Sequence, residues 1–115
     1  MDAERREVTL RSKRDREGTR ALWAYLNENG DLYVDGQDLG SGVSGAFGAG
    51  ITEYEWSHMI KKNDIPSLVK ALNGNPGEDI LDILKKHFDK EPRFEISDFC
   101  ERRRIPVDFW CRRGD

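Results

Sequence analysis

Polar and apolar side chains alternate along Glu7-Val8-Thr9-Leu10-Arg11. Such alternation predicts a half-buried strand, because successive side chains of extended backbone point to opposite faces. A second run, Thr19 to Asn27, is dense in apolar and aromatic residues, and Leu32-Tyr33-Val34 follows it across the turn residues Glu28-Asn29-Gly30. The two runs read as a β-hairpin. A two-residue Asn29-Gly30 loop would set Leu26 against Tyr33 and Tyr25 against Val34, mixing aliphatic with aromatic side chains. A three-residue loop with Gly30 in the left-handed region instead pairs Leu26 with Leu32, Ala24 with Val34 and Tyr25 with Tyr33, and this is the register expected. A fourth strand, Ile51 to Ile60, places Tyr54, Trp56, His58 and Ile60 on one face and Glu53, Glu55, Ser57 and Met59 on the other.

Near residue 62 the period changes. Ile65, Leu68, Val69 and Leu72 follow helical spacing, with Asn63 or Asp64 as cap and Asn73-Gly74 as stop, so a short amphipathic helix is expected. Asn75-Pro76-Gly77-Glu78 has the form of a capping box with Pro at the first helical position, so a second helix is expected to begin there and to bury Ile80, Leu81, Ile83, Leu84 and Phe88. A weaker third pattern runs from Ser97 to Arg103 with Ile96, Phe99 and Cys100 inward, and Ile105-Pro106-Val107-Asp108-Phe109-Trp110 reads equally as strand or helical turn. No internal repeat interrupts this plan. The chain is expected to form a single α+β domain over residues 1–115: strand-rich from 5 to 61, with a glycine-rich loop at 40–50, helical from 64 to 104, and closed by a tail from 105 to 115. The architecture that follows is a four-stranded antiparallel meander packed against two or three C-terminal helices.

Composition agrees with a folded exterior-rich domain. At 115 residues a chain buries roughly two-thirds of the surface its unfolded form exposes, and 37% hydrophobic residues with three Trp lie on the folded side of the compositional boundary despite 36% charged residues. The net charge of −3 is unevenly spread: residues 1–20 hold seven basic and five acidic side chains, residues 21–100 seven and fourteen. No apolar run approaches the roughly 20 residues that span a bilayer, and Met1-Asp2-Ala3-Glu4-Arg5-Arg6 lacks a signal-peptide core, so a cytoplasmic location without membrane contact is expected. In a reducing compartment Cys100 and Cys111 are expected to be free thiols.

Arg14-Asp15-Arg16-Glu17-Gly18, Asp31-Leu32-Tyr33-Val34-Asp35-Gly36-Gln37-Asp38-Leu39-Gly40, Thr52-Glu53-Tyr54-Glu55-Trp56 and the closing Phe109-Trp110 and Arg113-Gly114-Asp115 together resemble the pattern of a family of small uncharacterised bacterial proteins. The resemblance extends over most of the chain and implies a bacterial cytosolic origin. It brings no activity and no functional residue.

The motifs with chemical meaning each have a plainer reading. Gly40-Ser41-Gly42-Val43-Ser44-Gly45 spells GxGxxG, but the preceding elements form a meander instead of a βαβ unit, and Gly48 and Gly50 discourage the helix a pyrophosphate site requires. Asn27, Asn29, Asp31 and Asp38 match four places of a calcium-loop template, whose turn glycine is replaced by Leu32. Cys100, Cys111, His58 and His87 supply zinc-ligand types without the short paired spacings of a tetrahedral site. Neither a metal nor a cofactor is therefore expected. The pairs Glu53/Glu55 and Asp79/Asp82 read as solvated faces, and the terminal Arg113-Gly114-Asp115 reads as chance.

Three functional classes remain. A small hydrolase or transferase could use Cys100 with a histidine as nucleophile and base. A nucleic-acid binder could use Arg102-Arg103-Arg104, Arg112-Arg113 and the basic N-terminus, against an acidic pI near 5.4 and the interspersed Asp15, Glu17, Glu101 and Asp108. The third class is the reading adopted: a non-enzymatic protein-interaction module, inhibitory or immunity-type in its most specific form, with Arg11, Trp23, Tyr25 and Tyr33 on the sheet face turned away from the helices, the alternative being that the glycine-rich loop or the C-terminal tail covers Trp23 and Tyr25.

Overall fold

A computed structural model describes residues 6–16, 18–40 and 53–114. Strands β1 (Glu7–Asp15), β2 (Gly18–Leu26), β3 (Leu32–Leu39) and β4 (Glu53–Ile60) are followed by a 3-10 turn (Lys62–Asp64) and three α-helices: α1 (Ile65–Ala71), α2 (Ile80–Lys90) and α3 (Ile96–Arg102). A final strand, β5 (Asp108–Gly114), completes an antiparallel sheet of five strands in chain order. The fold class is α+β. The sheet has five strands where four were expected, because the tail pairs with β4 through His58↔Phe109, Ser57↔Trp110 and Trp56↔Cys111. The glycine-rich segment at 41–50, with most of the GxGxxG spelling, lies outside the described residues.

The β2–β3 hairpin has the three-residue loop. Leu26 opposes Leu32, Tyr25 opposes Tyr33 and Ala24 opposes Val34, and Gly30 sits at φ 86°, the left-handed conformation that closes a loop of this length. Asn27 Oδ1 accepts from the backbone N–H groups of Asn29 and Asp31, each at 2.9 Å, and Asp31 Oδ1 accepts from the N–H of Lys62 at 2.9 Å. Two of the oxygens that resembled a cation loop, those of Asn27 and Asp31, are thus spent on the turn itself and on tying it to the start of the helical layer.

One face of the sheet meets the helices. Leu10, Leu22, Ala24, Leu32, Val34 and Ile60 are buried there against Leu68, Leu81, Leu84, Phe88, Phe99 and Cys100. Gly36 stands in the same row as Leu22 and Trp56, and the Trp56 indole occupies the space a side chain at Gly36 would take.

Two local features differ from the sequence reading. The alternation of β1 breaks: Thr9 opposes Trp23, yet Arg11 opposes Leu22, so an extra residue is accommodated at Leu10. A bulge of this kind turns every following side chain to the other face. The second helix begins at Ile80, later than Asn75-Pro76 implied. Gly77 has φ 83°, which no helix tolerates, and Asp79 is the cap, its carboxylate accepting from the N–H of Leu81 at 2.9 Å. The box residues still interact, the N–H of Asn75 donating to Glu78 Oε1 at 3.0 Å, but they close a turn ahead of the helix. Among the described residues no helix is long and apolar enough to cross a membrane.

Candidate functional site

Antiparallel register fixes which side chains share the face turned away from the helices. One row across the sheet is Glu7, Tyr25, Tyr33, Met59 and Asp108; the next is Thr9, Trp23, Asp35, Ser57 and Trp110. A third row, Ser12, Ala21, Gln37, Glu55 and Arg112, lies beside them. None of these residues is buried, whereas the alternate positions Leu22, Ala24, Leu32, Val34, His58 and Ile60 are. The contrast is physical: the helices pack on the other face of the sheet and remove its side chains from water.

The face without helices is aromatic at its centre, with Trp23, Tyr25 and Tyr33 half-buried and Trp110 exposed. Tyr25 and Tyr33 stack with ring centroids 5.2 Å apart and planes within 4°, a cross-strand contact that holds both rings in place. Trp23 lies in the adjacent row, and β5 adds Trp110, which is 55% exposed. Between the two indoles, Ser57 Oγ donates to Asp35 Oδ1 at 2.6 Å. Across the described rows and the strand ends beside them, the face carries Glu7, Asp35, Glu53, Glu55 and Asp108 against Arg14 and Arg112, and Arg112 approaches Glu53 at 3.9 Å. It is an acidic surface with rigid aromatic relief.

Of the four residues expected on this face, Trp23, Tyr25 and Tyr33 are brought together there; Arg11 is not. The bulge at Leu10 carries Arg11 to the helix side, where its guanidinium donates to the carbonyls of Pro92 at 2.8 Å and Phe94 at 3.3 Å and lies 5.7 Å from the Phe88 ring centroid. Arg11 therefore clamps the α2–α3 connection to β1. Met59 stands on the face its alternation with Ser57 and Glu55 gives, whereas Trp110 belongs to the face without having been placed there from sequence, because the tail reads equally as strand or helical turn.

Among the described residues the basic clusters do not converge. Arg6 pairs with Asp79 and Asp82 beside α2, Arg102 and Arg103 border a groove with Lys86 and Lys90, and Arg112 stands on the opposite, helix-free face. Cys100 is fully buried, and burial pushes its thiol up to about 11, partly offset by Arg103. This environment is the opposite of the accessible, electropositive setting that makes a cysteine nucleophilic. Cys111 is exposed, and both cysteines are free. His87 packs edge-on against Phe94 at 4.3 Å. No family model, no curated protein and no solved structure matches the chain.

Proposed function

We propose that the protein is a non-enzymatic binding module whose helix-free sheet face docks a basic protein partner. The carrying observation is the segregation of Trp23, Tyr25, Tyr33 and Trp110 onto the one face the helices leave open. Trp and Tyr dominate interface hot spots because they offer large contact area with few rotatable bonds. The five carboxylates around them, against two guanidinium groups, select a partner of positive charge and speed its approach. Small size and an acidic aromatic face fit an inhibitory, immunity-type role, in which the partner is a cationic enzyme whose active surface is occluded.

The test is capture followed by titration. The immobilised protein is expected to retain a partner of basic isoelectric point that the Trp23→Ala/Trp110→Ala double variant does not retain. The purified partner should then bind with an affinity that falls as salt is raised. Equal retention by the double variant, or salt-independent binding, contradicts the reading. Self-association through this face would appear as a dimer in sedimentation and would equally replace it.

A further inference from the structure

A cleft of about 380 Å³ opens on the helix side of the sheet, lined by His58, Ser97, Glu101, Ile105, Val107 and Phe109. Its volume falls in the range of small-molecule sites, and its composition, apolar walls with a few converging polar groups, is the kind such sites have. Ser97 and Glu101 stand four residues apart on α3, hence on one side of the helix. His58 projects from β4, and Phe109 of β5 lies against its ring at 5.0 Å.

His58 is the unusual member. It is 8% exposed, and its Nδ1 is sealed from solvent without a hydrogen-bond partner. Buried polar groups are ordinarily paired, and this half-satisfied ring is also one of the walls of the cleft. The charge there is one-sided. Glu101 is the carboxylate of the cleft, while the neighbouring Arg102 and Arg103 border a different groove and Arg103 is stacked over Phe99 at 3.9 Å. Phe109, 57% exposed, lines the same cleft as that carboxylate, and an aromatic ring together with a carboxylate favours cations.

We propose that this cleft binds a primary ammonium group carried on a small apolar body. Glu101 takes the charge, the Ser97 hydroxyl and the His58 imidazole accept its N–H groups, and Ile105, Val107 and Phe109 enclose the body. The cleft is separate from the aromatic face on the other side of the sheet and does not depend on the partner proposed for it. A free amine and the N-terminal amine of a polypeptide present the same chemistry.

The chain contains two histidines, so imidazole resonances in NMR spectra of the full-length protein give an uncrowded readout. Benzylamine is expected to shift the His58 signals saturably, with a midpoint of about 1 mM for a ligand of this size, and to leave His87 unmoved. Benzyl alcohol, with the same body and no charge, should bind about tenfold more weakly. Glu101 is exposed, so Glu101→Gln keeps the fold, and it should reduce benzylamine binding to the level of the alcohol. Phe-Gly-Gly with a free amino terminus, compared with its acetylated form, distinguishes the sources: tighter binding than benzylamine identifies a polypeptide terminus, weaker binding a small amine. The proposal fails if benzylamine produces no saturable shift at His58, if amine and alcohol bind equally, or if Glu101→Gln leaves the amine's affinity unchanged.

Discussion

The indole of Trp56 lies so close over the backbone of Gly36 that a β-carbon on Gly36 would stand 2.1 Å from Cζ2. The two residues are directly opposed in the β3–β4 ladder, on the face that meets the core. Glycine at this position is therefore a requirement of packing, since its φ is not in the left-handed region. Gly36→Ala must displace the indole and is expected to cost about 1–3 kcal/mol, the usual range for overpacking. Thermal melting should show a drop of several degrees, and an unchanged melting temperature would mean that Trp56 moves aside freely.

The hairpin around Gly30 was legible because only one loop length puts Tyr25 beside Tyr33 and Leu26 beside Leu32, and the ladder has that register. The bulge was not legible. Val8-Thr9-Leu10-Arg11 alternates without a flaw, and nothing in four letters shows that Leu10 and Arg11 share one opposing residue. β5 escaped for another reason: Phe109 and Trp110, on opposite faces of an outer strand, are both exposed, so its inward and outward positions carry no contrast in polarity. The face assignment of Trp23, Tyr25 and Tyr33 thus came from pattern, while Arg11 and Trp110 required the three-dimensional ladder.

That relocation makes Arg11 a stability residue. Its guanidinium holds two carbonyls of the α2–α3 connection, and bonds to charged donors contribute about 1.5–3 kcal/mol when well buried. Arg11 is only partly buried, so Arg11→Met is expected to lower stability by about 1 kcal/mol in urea unfolding and to leave binding at the aromatic face intact. Loss of binding with unchanged stability would return Arg11 to the interface.

Aromatic substitutions on the open face should behave in the converse way. Tyr33→Ala loses the stack on Tyr25, a cross-strand contact of about 0.5–1 kcal/mol. Leu32→Ala, one residue away and fully buried, should cost about 2–5 kcal/mol. Trp23→Ala and Tyr33→Ala are expected to abolish capture of the partner while staying within about 1 kcal/mol of the parent, and a loss comparable to Leu32→Ala would show that the face is covered.

The two thiols are expected to differ sharply in reactivity. Cys111 is exposed on β5, whereas Cys100 is sealed in the core with its thiol pushed up to about 11. At pH 8 a thiol reagent should label one equivalent quickly and the second only as fast as the protein unfolds. Rapid labelling of Cys100 in the native protein would show that the core around α3 opens far more readily than its packing implies.

His58 gives a pH dependence of definite sign. Its ordinary value is 6.5, and burial lowers it in the folded protein, partly opposed by the nearby Asp35 carboxylate. A proton therefore binds the unfolded chain more readily than the folded one. Above pH 6.5 both forms are neutral at this residue and no stability is lost; as pH falls below 6.5 the unfolded imidazole charges first, and stability declines until the folded value is passed. Asp38, whose carboxyl burial raises above 3.8 against the pull of Arg20 and Arg11, acts in the opposite sense at lower pH, where protonation relieves its desolvation. The His58 contribution is isolated by comparison with His58→Phe, which keeps a ring against Phe109 and cannot titrate. Urea midpoints measured at pH 8, 6 and 5 should show the parent losing stability relative to the variant as the solution is acidified, and a constant difference across the three would mean that His58 titrates alike in the folded and unfolded chain.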